Sequence, residues 1–529
     1  MDKETAIETV LIVAFFTAML YLGPGSASEH RITHEFPTGY SASDSYQHQV
    51  RTEAIRQAGQ YKYEAPYMVV GLTDVIGFYP PALYHVAVLL ADVSGLPSYD
   101  ALLIIVWLAI SAGAMMAYYL ARNLSRPVAL LALPLMLLAA TGKPFLGMVT
   151  FGQMPFALAS LFMVAAGWAT TKLGLRGSYA LIAIFLSGTI MSHTSETIFF
   201  LILISIVTGA SLAANTVRHK LGGFRKTLSE NKNMVLGIIL AAISTSYFLL
   251  IFIGTWMKSQ PYRFGVETVS ASFPAATVFI KDFGFMLVAI AAGLAAATIF
   301  AAQRREELGN IVSSPKLFTL LFSAYMILAG LGTYIGFGVR SFQARFFWPI
   351  TLAPLAGFGI YQAIRIVLRA TSRKANVIVV AVIVTVILSA AVLSAYYKPN
   401  FSQGMTKEHW EAMRWIAENT PKDASIYVLY SQLYSQTSVL YNTERVNYFL
   451  ELKEFVDAIN NISRTGKFDR MTRVMFPSDS GIGMPYRKGL LSFGKHSEDT
   501  AMSGTVDICS SDYYLVDLAM QEQLAQANN

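Results

Sequence analysis

Long apolar stretches separated by short polar connections dominate this chain. A helix that crosses the hydrocarbon core of a bilayer needs about 20 mostly apolar residues. Stretches of that kind occupy 6–22, 100–121, 127–141, 154–171, 177–192, 196–215, 233–256, 283–302, 317–338, 346–364 and 376–396. The pattern predicts a polytopic α-helical membrane protein with about 11 transmembrane helices. A further apolar stretch, 79–96, opens on Tyr79-Pro80-Pro81 and carries His85 and Asp92. We read it as a juxtamembrane or re-entrant helix packed on protein, because non-spanning backbone at membrane depth survives only where protein or water covers it.

Two segments depart from this pattern. Between the first apolar stretch and residue 99 the chain runs through Glu29, His30, His34, Glu35, Asp44, His48, Arg51 and Glu53. A polar excursion this long in so apolar a chain belongs on a membrane surface, which makes it the first place to look for chemistry. From Tyr397 onward the polarity becomes ordinary. There, 406–418 reads as a helix with Trp410, Met413, Trp415 and Ile416 on one face, stopped by Asn419-Thr420-Pro421. Ser425 to Leu429 and Tyr513 to Val516 read as short strands. The expected organisation is a transmembrane domain over 1–397, with 23–99 as its first external loop, and a small external α/β domain over 398–529.

Composition agrees: 54% of residues are hydrophobic and 14% charged, which excludes soluble folds. The single cysteine, Cys509, excludes an intrachain disulfide framework. The net charge of +7 does not point to nucleic acid, because the cations sit between apolar stretches as topology determinants do. If 79–96 does not span, one side of the membrane receives Arg122, Arg126, Lys172, Arg176, Arg218, Lys220, Arg225, Lys226, Lys232, Arg304, Arg305, Lys316, Arg365, Arg369, Arg373 and Lys374. The other side holds only Lys143, Lys258, Arg263, Lys281, Arg340 and Arg345 in its short loops. By the positive-inside rule the richer side is cytoplasmic, which puts the N-terminus inside and both polar segments outside. Residues 6–22 are then a retained first helix rather than a cleaved signal peptide.

Several external residues are candidates for chemistry. Asp44 lies in Ser43-Asp44-Ser45-Tyr46-Gln47-His48, at the start of a helix that it or Ser43 could cap. It is equally placed to act as a general base toward a hydroxyl, with His48 one turn on. His30, His34 and Glu35 have a spacing that a metal could use, but with no assured third ligand a divalent ion is unsupported, and no other cofactor is called for. Arg340 and Arg345 stand between two apolar stretches; a cation at full membrane depth costs roughly 2.5–3.5 kcal/mol, so either an anionic partner or snorkelling to the interface accounts for them. Guanidinium forks suit phosphate. Lys143 is a weaker candidate of the same kind. His193 and Glu196 interrupt apolar sequence at an external turn, where they either cap a helix or serve a site. Gln153, at the start of another helix on that side, could offer an amide to a sugar.

With these pieces in hand, the chain resembles the GT-C superfamily of membrane glycosyltransferases. The resemblance rests on Asp44-Ser-Tyr-Gln-His48, Phe78-Tyr-Pro-Pro-Ala-Leu-Tyr-His85, Met191-Ser-His-Thr-Ser-Glu196, Arg345-Phe346, and Trp415-Ile-Ala-Glu-Asn-Thr-Pro-Lys-Asp-Ala leading into the external domain. It implies transfer of a sugar from a polyprenyl-phosphate donor to a glycan, lipid or protein acceptor at the external face of the lipid bilayer. Asp44 inherits the role of base and Arg345 that of phosphate holder, with His48, His85 and His193 as neighbours. The chain departs from the oligosaccharyltransferases of that superfamily. The loop from Thr141 to Gln153 has no acidic residue, Asp44 has no adjacent acid, and the Trp-Trp-Asp-Tyr-Gly signature is missing. A metal-independent monosaccharide transferase is therefore expected. The rival classes are a transporter or lipid-linked-sugar flippase, for which the two halves show no internal symmetry, and a non-catalytic receptor or assembly subunit.

Overall fold

The computed structural model describes residues 3–27, 31–40, 43–59, 80–140, 148–149, 152–220, 222–250, 283–284, 286–312, 314–332, 341–370, 406–422, 424–429, 446–450 and 513–516. These are nearly all helical. In chain order the helices are α1 (Lys3–Ala27), α2 (Ser43–Ala58), α3 (Ala82–Ser94), α4 (Ser98–Arg122), α5 (Arg126–Met136), α6 (Met154–Thr170), α7 (Ser178–Ser192), α8 (Thr194–His219), α9 (Gly222–Glu230), α10 (Lys232–Ser244), α11 (Met286–Gln303), α12 (Pro315–Leu331), α13 (Ala353–Ala370) and α14 (Lys407–Asn419). Short helical turns, Ser341–Ala344, Arg345–Phe347 and Trp348–Thr351, lead into α13. Every apolar stretch that falls within the described residues carries a helix; the stretch 376–396 lies outside them.

Local chemistry explains the boundaries. Ser125 caps α5, its hydroxyl accepting from the Val128 N–H at 3.3 Å, and Pro155 and Pro315 stand in first turns where no N–H is needed. Pro134 lies inside α5, which gives way to a 3₁₀ turn at Leu137–Ala140. By length and apolar composition, four described helices can cross a membrane: Glu4–Leu22 within α1, α4, α8 and α11. Arg345–Thr351 and α13 qualify together as a fifth, bent by 47°. At 1.5 Å per residue α3 is only about 20 Å long, short of a ~30 Å core, and it packs instead against α2 and α4.

The bundle is built around α4 and α6, with α7 and α8 on one flank and α5, α13 and α11 on the other. Residues such as Val10 and Val13 of α1, Ile184 of α7, Ile206 of α8 and Val288 of α11 point outward. Apolar side chains on the outside of a bundle are what a lipid solvent requires. Helices α11 and α13 approach closely through glycines. A Cβ on Gly293 would overlap the Leu355 carbonyl, and one on Gly359 would overlap the backbone of Ala289 and Gly293. Gly359→Leu should therefore force the two helices apart and cost about 1–3 kcal/mol or more. The expected reading is a lower unfolding temperature of the purified protein in detergent; an unchanged midpoint would show that this contact is not tight.

Polar residues collect at the two ends of the bundle. At one end Arg122 and Arg126 bind Glu8 at 2.8 and 2.7 Å, tying α1 to α4 and α5. Lys172 reaches the Asn123 side chain at 3.2 Å, Asn233 donates to the Leu173 carbonyl, Asn215 donates to the Gly309 carbonyl, and Arg218 donates to the Glu306 carbonyl. The basic connections grouped by the charge pattern are thus joined to one another in space. The described C-terminal parts are α14, capped by Thr406, and three parallel strands, β1 (Ser425–Leu429), β2 (Val446–Leu450) and β3 (Tyr513–Val516), in the order β2-β1-β3. Met413 and Ile416 of α14 are buried, whereas Trp415, expected on the same face, is 56% exposed. Steps of 100° put position 415 some 200° round from position 413, on the far side of the helix from that face.

Candidate active site

The opposite end of the bundle carries the polar segment that follows α1. Its irregular stretch 31–40 is stitched to the start of α4. The Asp100 carboxylate accepts from the His34 N–H at 2.9 Å and meets the His34 ring Nδ1 at 2.6 Å. The Tyr99 hydroxyl donates to the His34 carbonyl at 2.7 Å, and the Tyr40 hydroxyl donates to the Tyr99 carbonyl at 2.7 Å. Burial pushes the Tyr40 phenol well above its ordinary range, which keeps it a neutral donor. On α2, Glu53 accepts from Ser98 at 2.5 Å. Lys407 of α14 binds Glu35 and holds that carboxyl below its usual range, and Trp410 meets the Tyr99 ring edge-on at 5.6 Å. His34 and Glu35 are thus committed to structural partners.

Asp100→Asn leaves the His34 contacts short of a charge-assisted acceptor, at about 1–3 kcal/mol. Limited proteolysis should then cut within residues 31–42 sooner than in the wild-type protein, with intact bundle helices as the control. Equal cutting rates would remove Asp100 as the anchor.

Above this scaffold lies a buried polar cluster. His48 of α2 is 1% exposed; its Nε2 is 2.8 Å from the Gly152 carbonyl and its Nδ1 is 2.8 Å from the Tyr84 hydroxyl. A carbonyl only accepts, so in a neutral ring Nε2 carries the proton and Nδ1 accepts from Tyr84. Both nitrogens are thereby used in pinning α2 to α3 and to the start of α6. Asp44 belongs to the first turn of α2, one turn before His48; its side chain lies outside the described residues. Tyr84 of α3 reaches inward on the face that also buries Leu83, Ala87 and Ala91, and its neighbour His85, 100° further round the helix, is exposed.

Gln153, next to Gly152, accepts through Oε1 from the amide of Gln343. Gln343 is fully buried, and its own Oε1 has no partner among the described residues. Two residues later Arg345 opens the turn that leads to α13. That turn is held from both sides. Phe347 lies over Gly113 of α4, where a Cβ would come 2.7 Å from the ring, and Trp348 lies over Gly330 of α12 while its Nε1 donates to the Met326 carbonyl at 2.8 Å. Phe347 also meets Phe156 of α6 edge-on at 6.0 Å, and Phe156 meets His193 edge-on at 6.5 Å.

His193 is the extended residue between α7 and α8, and its Nδ1 sits 2.5 Å from Glu196 Oε2. Glu196 is fully buried in the first turn of α8, where the helix dipole favours a carboxylate, and its Oε1 has no partner among the described residues. His48, Gln153 and Gln343 are thus joined across α2, the start of α6 and the turn before α13, and the His193–Glu196 pair reaches that turn through Phe156 and Phe347; Arg345 stands in the same turn. Among the described residues no group of three or more His, Cys, Asp or Glu side chains gathers as metal ligands would. Lys143 and Arg340 lie outside the described residues.

No protein-family model matches the sequence, and no curated protein sequence matches it. Solved structures do match. The archaeal oligosaccharyltransferase AglB from Archaeoglobus fulgidus, solved with an inhibitory peptide and a dolichol-phosphate, superposes with a TM-score of 0.58 over 84% of this chain and 64% of that one, at 12% identity. ArnT from Cupriavidus metallidurans bound to undecaprenyl phosphate gives 0.51 over 87% of this chain and 91% of that one, at 13% identity. The mycobacterial arabinofuranosyltransferase AftD gives 0.51 over 87% of this chain and 33% of that one, at 15% identity. The chain has the GT-C fold.

This GT-C chain spans about two thirds of the archaeal structure and a third of the mycobacterial one. Its polar cluster draws on residues to which the sequence reading gave no role: Tyr84, the Gly152 carbonyl, Phe156, Gln343 and Phe347. Tyr84 and Gln343 each stand within two residues of a motif histidine or arginine, so the signal was adjacency. Asp100 carried one as well, an acid at the mouth of an apolar helix.

Proposed function

We propose that this protein is a membrane glycosyltransferase that moves a sugar from a polyprenyl-phosphate donor to a hydroxyl or amide acceptor on the extracytoplasmic face, with the basic end of the bundle cytoplasmic. The observation that carries the reading is the buried polar cluster at the non-basic end of a GT-C fold. Two buried acceptor oxygens there, on Gln343 and Glu196, lack donors among the described residues. Leaving such groups unpaired costs about 1–3 kcal/mol each. Sugar hydroxyls are donors of the right kind.

The reaction is a one-step displacement with inversion. Asp44 takes the acceptor proton as the acceptor oxygen or nitrogen bonds to the anomeric carbon. The bond from that carbon to the phosphate oxygen breaks, and its electron pair leaves with the lipid phosphate. Arg345 offsets the charge growing there. Binding of dolichol-phosphate or undecaprenyl phosphate by the GT-C structures above supports a lipid-phosphate donor. The acid-free loop Thr141 to Gln153 supports transfer of a monosaccharide rather than an oligosaccharide.

The test is a reconstituted assay. Purified protein in liposomes is given radiolabelled polyprenyl-phosphate hexoses and pentoses with membrane-extracted acceptors. Label should pass to the acceptor with inverted anomeric configuration. Movement of labelled donor between leaflets without transfer would replace this reading with a flippase.

A further inference from the structure

The basic end of the bundle holds a feature that sugar transfer does not use. Helix α9 is only nine residues long and lies across the end of α8. One side of it is docked: Gly223 and Thr227 are buried, and the Asn215 amide of α8 donates to the Thr227 hydroxyl at 3.0 Å. The Gly223 position tolerates no side chain, because a Cβ would come 2.6 Å from the Asn215 backbone. The helix is therefore fixed in rotation, and the character of its remaining flanks follows from the 100° step. Phe224 and Leu228 share one flank and are 63% and 50% exposed. Arg225 stands on the crest opposite the docked face, and Lys226 lies on the other flank, its ammonium 3.1 Å from His219 Nε2.

Across residues 220–232 the cations are Lys220, Arg225, Lys226 and Lys232, all exposed, against Glu230 as the single acid. Val217, in the last turn of α8, adds an apolar side chain that is 86% exposed. A large apolar pair beside a cluster of cations, on a helix at the end of a membrane bundle, matches the depth profile of one leaflet: acyl chains first, then phosphate. The cation excess disfavours a purely apolar occupant.

We infer that α9 is an interfacial helix that seats anionic phospholipid: Phe224 and Leu228 enter the acyl region, while Lys220, Arg225, Lys226 and Lys232 bind the headgroup phosphates. The helix would thereby set the depth of α8, and with it the external turn at His193, relative to the bilayer. Polybasic segments next to membranes gain about 1 kcal/mol per Lys or Arg from anionic lipid, roughly a fivefold enrichment for each cation engaged.

The full-length protein with Cys509→Ser and Phe224→Cys carries one thiol for a fluorescent label. The labelled protein is placed in bilayers that mix phosphatidylglycerol and phosphatidylcholine, with bromine on the acyl chains of one lipid at a time. Quenching should be stronger when phosphatidylglycerol carries the bromine. Arg225→Gln with Lys226→Gln should remove that preference while leaving quenching by total brominated lipid in place. No quenching by either lipid would put position 224 in water or under another protein copy, and equal quenching by both would leave no headgroup selection; either result overturns the inference. Failure of the transferase assay bears on neither measurement, since the label reports lipid contact alone.

Discussion

Asp44→Asn abolishes sugar transfer in the reconstituted assay, lowering the rate by roughly 10²–10⁴ while donor binding stays near wild type. The expectation follows from where α2 is held rather than from the carboxylate alone. His48, one turn along, is locked between Tyr84 and the Gly152 carbonyl, so the start of α2 cannot drift from the start of α6. The amide is nearly isosteric with the acid and keeps any capping contact, but it cannot take a proton. A capping residue would tolerate the change, because Asn caps a helix as well as Asp does. Activity near wild type in Asp44→Asn would return position 44 to the capping role and leave the base unassigned.

Arg345→Ala should lower transfer by roughly 10²–10³, with the loss concentrated in the use of the lipid-phosphate donor. Arg345→Lys should recover only part of it, since an ammonium cannot present the planar fork that matches a phosphate. Phe347 and Trp348 are clamped over Gly113 and Gly330, so the turn keeps its path when the guanidinium is removed. The measurement is transfer rate against donor concentration for both variants, with the unfolding temperature as a control for structure. An unchanged donor dependence in Arg345→Ala would make this residue an interfacial anchor, the other account its position allows.

The helices were legible in the sequence because hydrophobic length is a local property. A run of apolar residues has to satisfy its own backbone hydrogen bonds, and a helix is the way a single segment does so. The boundaries were equally local: Ser125, Pro315 and Thr406 act within one turn of their own positions. The charge asymmetry was readable for the same reason, and the structure joins Arg122, Lys172, Arg218 and their neighbours at one end. Strands β1 and β3 were visible as short apolar runs. Strand β2 was not, because a parallel partner is chosen by pairing across the fold and Asn447 interrupts the short apolar run from Val446 to Leu450.

The site was legible only in part. Sequence pointed to His48, Gln153, His193, Glu196 and Arg345 one by one, each from an ionisable or amide group set beside apolar sequence. What joins them is contact between segments far apart in the chain: His48 with Gly152 across 104 residues, and Gln343 with Gln153 across 190. Hydrophobic pattern places each helix along the chain but is silent on which of its faces meets which neighbour. Packing made that choice, through the small residues that admit Phe347 and Trp348 and through the 100° step that turns Tyr84 inward and His85 out. The chain by itself thus determined the long apolar helices and their two-sided charge. The tertiary structure decided which buried polar atoms meet and which are left unpaired, because only long-range contacts bring those atoms within hydrogen-bonding distance.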